Sequence, residues 1–143
     1  QLSKNNTLLI VTSDHGQIPT QICPSYAVRN DQEFMKCLEI PPSGESRFPY
    51  LFIKPGQVNI FQKLLSQRWN DNFFLAPSES LVTSGIFGKT EMDVAIQSRI
   101  GTHAVIPKGN TYWWWANKEN FLLGRHGGFS AQEMITPLFI LPL

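Results

Sequence analysis

The chain has 143 residues, a formal net charge of +1, 42% apolar residues and 16% charged residues. That length suits one domain with a sizeable core, and the composition is ordinary for a globular protein. A charge so close to zero offers no basic face for nucleic acid or an anionic membrane surface, and no apolar run reaches the length of a bilayer span.

The first element is the branched apolar run at 7–12, which reads as a buried strand of a parallel sheet. With no initiator Met ahead of so core-like a strand, the sequence reads as starting inside a larger protein. Asn5-Asn6-Thr7 matches a glycosylation sequon, a match common by chance. Asn30-Asp31-Gln32-Glu33 resembles a capping box, with Phe34, Met35, Cys37 and Leu38 as the buried side of a short helix stopped by Pro41-Pro42. Ser43-Gly44-Glu45-Ser46 reads as a polar loop. A strand at 50–53, a helix at 57–68 with Val58, Phe61, Leu64 and Leu65 on one stripe, a strand at 73–76, and a helix capped by Ser78 and closed by Gly85 follow. This block, 49–88, reads as an inserted α/β subdomain without catalytic groups. Segments 104–107 and 111–116 flank Lys108-Gly109-Asn110 as a hairpin. Ser130 and Glu133 form a second capping box with Phe129 and Met134 as its apolar staple, and 138–141 is a final strand. Cys23 and Cys37 lack metal-ligand spacing and read as two partly buried thiols.

Candidate chemistry starts at Asp14-His15-Gly16, directly behind the first strand, where open α/β sheets keep their binding crevices. A carboxylate and an imidazole can face one cation there if the backbone turns sharply, and Gly16 permits the turn. The plainer alternative for His15 is a loop histidine bonded to backbone. His126 lies among three glycines in Gly124-Arg125-His126-Gly127-Gly128, which leave the ring open to a ligand. Its plainer alternative is a surface loop, weakened because the capped turn fixes the loop's exit. His103 enters a strand without a nearby carboxylate and reads as structural. Trp113-Trp114-Trp115 reads as core or interface ahead of a stacking platform, since alternate strand residues face opposite ways. Arg125 reads as a solvated loop arginine, with an anion-steadying role as the sharper alternative. Ser13 next to Asp14 and His15 is no triad, because sequence neighbours cannot form the relay.

Residues 8–16, ending in Ser13-Asp14-His15-Gly16, resemble the Asp-His-Gly motif of the alkaline phosphatase superfamily, in its type I phosphodiesterase/nucleotide pyrophosphatase branch. Residues 124–138, from Gly124-Arg125-His126-Gly127-Gly128 to Pro137-Leu138, are similar to that group's later histidine motif. The resemblance implies an α/β fold: 1–143 as the C-terminal portion of a single domain, carrying part of a mostly parallel sheet with flanking helices and the inserted subdomain. It implies two divalent cations, commonly zinc with Mn or Mg as alternatives. Asp14 and His15 would bind one cation and His126 the other. It implies hydrolysis of small phosphoric esters by in-line attack of a metal-activated hydroxyl. The family's nucleophile and remaining ligands have no match here, so the catalytic residues fall outside this chain and the 143 residues alone should not turn over substrate. Phosphomonoesterase and other superfamily activities follow as alternatives. A non-catalytic α/β module binding through Trp113–Trp115 is the rival from another class.

Overall fold

Local signals place most of the helices. The computed structural model describes residues 7–88 and 93–143, so Asn5 of the sequon lies outside the described residues. Asp31 caps α1 (Gln32–Lys36), its carboxylate accepting from the Phe34 N–H at 3.1 Å. Helix α2 (Val58–Trp69) buries Phe61, Leu65 and Trp69 at helical spacing, extending the expected stripe by one turn. Helix α3 (Ser78–Thr83) does not use Ser78 as its cap. Ser78 is buried as the first helical residue, and its hydroxyl donates to the Ile100 carbonyl at 3.0 Å. Gly85, at φ +76°, closes the turn as expected. Two further short α-helices are α4 (Val94–Gln97) and α5 (Ala131–Met134). No helix among the described residues is long and apolar enough to cross a membrane.

Among the described residues the strands form three small antiparallel sheets. Strands β3 (Ser43–Glu45), β4 (Phe48–Leu51), β5 (Phe73–Pro77) and β6 (His103–Pro107) make a four-stranded sheet in the order β3-β4-β6-β5. The segment expected as a polar loop at 43–46 is thus largely an edge strand. Strands β4 and β5 of the 49–88 block do not pair with each other; β6 joins them. Strands β2 (Ile18–Pro19) and β7 (Gly124–Arg125) form a two-residue pair. Strand β1 (Leu8–Thr12) pairs with β8 (Leu138–Pro142), from Leu8↔Pro142 to Thr12↔Leu138.

The mixed α/β character holds, and among the described residues the pairing of β1 is antiparallel rather than the parallel pairing expected for it. The chain leaves β1 and returns through α5 into β8 from the opposite direction, and such a return gives antiparallel pairing. Nor is β1 buried: Leu8, Leu9, Ile10 and Val11 are 42–57% exposed, because no helix among the described residues covers the ribbon. The expected hairpin also fails. Residues 111–116 join no sheet among the described residues: the Trp113 N–H donates to the Ser46 carbonyl and the Trp114 N–H to that of Tyr26.

The reason is core packing. Trp113 is fully buried among Phe34, Phe61, Trp69 and Phe73, with ring centroids 4.9–6.5 Å away. Seating that ring buries a large aromatic surface in the core. The core therefore lies between α1, α2 and the inner face of the four-stranded sheet, with Val28, Leu51 and Val105 in the same cluster. Cys37 is buried there and Cys23 half-buried, both as free thiols, and burial pushes the Cys37 thiol up.

Candidate metal centre

The smallest sheet brings the two ends of the chain together. Pairing of β2 with β7, in register Ile18↔Arg125, aligns the segment after Asp14-His15-Gly16 with the segment before His126. The Thr20 N–H extends this seam by donating to the Leu123 carbonyl at 2.7 Å. A second tie is at Gly16, whose N–H donates to the Glu133 carbonyl of α5 at 2.8 Å. A Cβ at Gly16 would stand 1.8 Å from the Gln132 carbonyl oxygen, so only glycine permits this approach.

The result is contact between imidazoles. The rings of His15 and His126 stack with centroids 3.7 Å apart and planes 15° from parallel. The Asp14 carboxylate lies beside the His15 ring, its Oδ2 3.5 Å from His15 Nε2, while its Oδ1 accepts the His15 N–H at 3.0 Å. His15 Nδ1 is 2.8 Å from the Gly16 carbonyl oxygen, which can only accept. Nδ1 therefore carries the proton of the neutral ring, and Nε2 is left with its lone pair near a carboxylate oxygen. Two acceptors this close suit a cation between them. Asp14 is 87% exposed and His15 41% exposed, so the group opens to solvent. Among the described residues, no three His, Cys, Asp or Glu side chains are placed to enclose one ion. Face-to-face stacking accounts for that, because parallel rings present their nitrogens side by side rather than toward one point. His103 is not part of the group; it sits on β6 opposite Leu51 and Pro77, and burial lowers its pKa.

Behind the rings lies a buried ion pair that the sequence did not announce. Arg47 and Glu133 are both 2% exposed, and the guanidinium donates to both carboxylate oxygens, Nε to Oε1 at 3.0 Å and Nη2 to Oε2 at 2.8 Å. Glu133 also accepts from the Gly128 N–H at 2.9 Å and the Ser130 hydroxyl at 2.6 Å. Desolvation raises its pKa, but the bonds from Arg47, Ser130 and Gly128 outweigh it and hold the carboxyl at about 2. The expected capping box is thus replaced, since the Glu133 side chain turns to Arg47 instead of the Ser130 N–H. The staple is replaced too: Phe129 packs edge-on against Phe48 at 4.7 Å, while Met134 is exposed. Through its backbone and side chain, Glu133 holds the loops of both histidines.

Arg125 is likewise not the solvated residue expected. It is 3% exposed, stacked on the Tyr112 ring at 3.8 Å, and burial lowers its pKa. A cavity of about 290 Å³ bounded by Arg125, His126, Trp114 and Glu45 adjoins the stacked rings.

No family model matches the sequence, and no curated protein sequence matches it. Solved structures do match. Human ectonucleotide pyrophosphatase/phosphodiesterase 5 (ENPP5) superposes with a TM-score of 0.68 at 18% identity, over 96% of this chain and 34% of that one. The chain has the fold of part of a nucleotide pyrophosphatase/phosphodiesterase. The murine ENPP5 superposes with a TM-score of 0.66 at 19% identity, over 95% of this chain and 34% of that one. An inactive variant of the murine protein in complex with AMP gives the same score and identity over 33% of its length. The chain therefore spans about a third of the solved structures it matches. This likeness agrees with the resemblance carried by the two motifs, and at such identity it establishes the fold rather than the chemistry.

Proposed function

We propose that Asp14, His15 and His126 form part of a two-cation centre for hydrolysing phosphoric esters, of the phosphodiesterase/nucleotide pyrophosphatase type, with the nucleophile outside these 143 residues. The observation that carries the reading is the stacking of His15 on His126 at 3.7 Å, from motifs at opposite ends of the chain. Two features favour divalent cations at this place. Two ligand atoms on one tetrahedral zinc lie roughly 3.3 Å apart, given Zn–N and Zn–O lengths of about 2.0–2.1 Å, and Asp14 Oδ2 and His15 Nε2 are 3.5 Å apart. Paired catalytic cations lie about 3.5–4 Å apart, close to the separation of the two rings. Asp14 and His15 would then hold one ion and His126 the other, with zinc the first choice and manganese or magnesium the alternatives.

When bound, such ions supply Lewis acidity that neutralises phosphoryl oxygens and activates a hydroxyl nucleophile. The chain's own contribution is orientation. The Gly16 carbonyl fixes the His15 tautomer by accepting from Nδ1, a role commonly filled by carbonyls behind metal-binding imidazoles. Glu133 fixes the separation of the two loops. The AMP complex of the murine relative supports nucleotide-like phosphoesters as the substrate class. Trp113 belongs to the core, which removes the central support for a tryptophan patch as the functional surface.

The test replaces Asp14 or His126 by alanine in the whole polypeptide that carries these residues. Both variants are expected to lose bound zinc by equilibrium dialysis and to lose hydrolysis of bis-nitrophenyl phosphate. The ratio of diester to monoester hydrolysis in the unmodified protein separates phosphodiesterase from phosphomonoesterase. Unchanged metal content and activity in both variants would end the proposal.

A further inference from the structure

The chain buries two arginines beside the stacked histidines, and they are treated differently. Arg47 has a bidentate carboxylate partner in Glu133. Arg125, 3% exposed, has no carboxylate within salt-bridge reach among the described residues. Its Nη2 donates to Asn120 Oδ1. Tyr112 also bonds Arg125 through its side chain, and the contacts of Arg125 to the Ser46 hydroxyl and the Leu122 carbonyl are both 3.5 Å, at the outer limit of a hydrogen bond. Its Nε is buried without a hydrogen-bond partner among the described residues. Tyr112 and Trp114 rings lie 3.8 and 5.3 Å from the guanidinium carbon, which favours a cation but supplies no counter-charge. A buried cation without an anion is costly, and buried charges are otherwise paired.

Arg125 also lines the cavity of about 290 Å³ that His126 borders. Its wall carries two cations, Arg125 and Lys118, against one carboxylate, Glu45. A planar fork with spare donors matches phosphate oxygens better than any other side chain does.

We propose that Arg125 anchors an anion subsite that takes a second phosphoryl group of the substrate, next to the group held at Asp14, His15 and His126. Arg125 is then a specificity-determining residue that favours two linked phosphoryl groups over a single one. The inference rests on the proposed function for the identity of the neighbouring site, but the subsite itself can be measured without metal.

The experiment titrates the whole polypeptide that carries these residues calorimetrically with inorganic pyrophosphate and with inorganic phosphate, once in EDTA and once with zinc. In EDTA the unmodified protein should bind pyrophosphate more tightly than phosphate. Arg125→Gln should weaken pyrophosphate by about tenfold or more, the scale of one lost charge-assisted hydrogen bond, and Arg125→Lys should restore most of the loss. If Arg125→Gln folds and keeps its pyrophosphate affinity, Arg125 serves packing alone and the proposal is overturned. If that variant does not fold, the arginine Nε–H resonance of the unmodified protein decides: it should shift on adding pyrophosphate, and no shift overturns the subsite. Should zinc fail to tighten binding while the dependence on Arg125 persists, the subsite stands and the two-cation reading falls.

Discussion

Replacing Glu133 by Gln removes one charge and almost no volume, and the structure sets what that costs. The carboxylate accepts four bonds, two on each oxygen: Arg47 Nε and the Gly128 N–H on Oε1, Arg47 Nη2 and the Ser130 hydroxyl on Oε2. An amide turns one oxygen into a donor, so whichever way the substituted side chain faces, an N–H meets a guanidinium N–H. The Arg47 charge is also left buried without its partner. Breaking a buried ion pair from one side costs about 3–5 kcal/mol. The direction of the carboxyl's pKa agrees, since these bonds hold it at about 2 against an ordinary 4.5. The sign follows from the depressed pKa: the stabilisation is complete above about pH 4.5 and disappears as pH falls through about 2. Urea unfolding at neutral pH should therefore show the midpoint of Glu133→Gln lowered by roughly 2 M, and the gap to the unmodified chain should narrow near about pH 3. A midpoint loss below about 0.5 M, or a gap constant with pH, would refute the assignment of Glu133 as an ionised, buried partner. The double variant Arg47→Met with Glu133→Leu should recover part of the lost stability, because an apolar pair of similar volume is often neutral while the Gly128 N–H and Ser130 hydroxyl still lose their acceptor.

Gly16→Ala would drive a Cβ to 1.8 Å from the Gln132 carbonyl oxygen; α5 must move off the first motif, and the nuclear Overhauser contact between the His15 and His126 ring protons should vanish while the helical circular dichroism persists. Gly101→Ala meets the Leu51 carbonyl oxygen at 2.3 Å from a backbone at φ +63°, so it should lower the melting temperature of the four-stranded sheet without altering zinc binding. Trp113→Ala should cost about 3–5 kcal/mol in chemical unfolding, since the ring is fully buried among four aromatic neighbours. Arg68→Gln, removing an exposed cation that bridges Asp31 and Glu33, should leave the unfolding midpoint nearly unchanged at physiological salt.

Sequence and structure agree where a local signal decides the outcome. The apolar stripe of α2, the Asp31 cap and the last strand depend on residues a few positions apart, and each lies within two residues of its expected place. Disagreement sets in where a distant residue decides. Pairing of β2 with β7 involves two residues on each side, too few for any periodic pattern, yet it is what brings the rings of His15 and His126 together. The run at 7–12 is branched and apolar and so looks like a buried parallel strand, but strand direction depends on how the chain returns 130 positions later, at β8. Motif resemblance named Asp14, His15 and His126. It could not say that the two rings would lie face to face, nor that two buried arginines would lie behind them.

Ser130-x-x-Glu133 shows why a local signature can lose. As a capping box it would satisfy one backbone N–H at the start of a single-turn helix, worth about 1 kcal/mol. Its side-chain acceptor would then be unavailable to Arg47, which Phe48, Pro49 and Tyr50 carry into the interior as they build β4. An uncompensated buried guanidinium costs several kcal/mol, so the carboxylate turns inward and the cap is forfeited. The signal that would have exposed this choice is not in the 130–133 segment. It is the lone arginine at the head of an aromatic strand, more than eighty positions earlier, and only the folded arrangement connects the two.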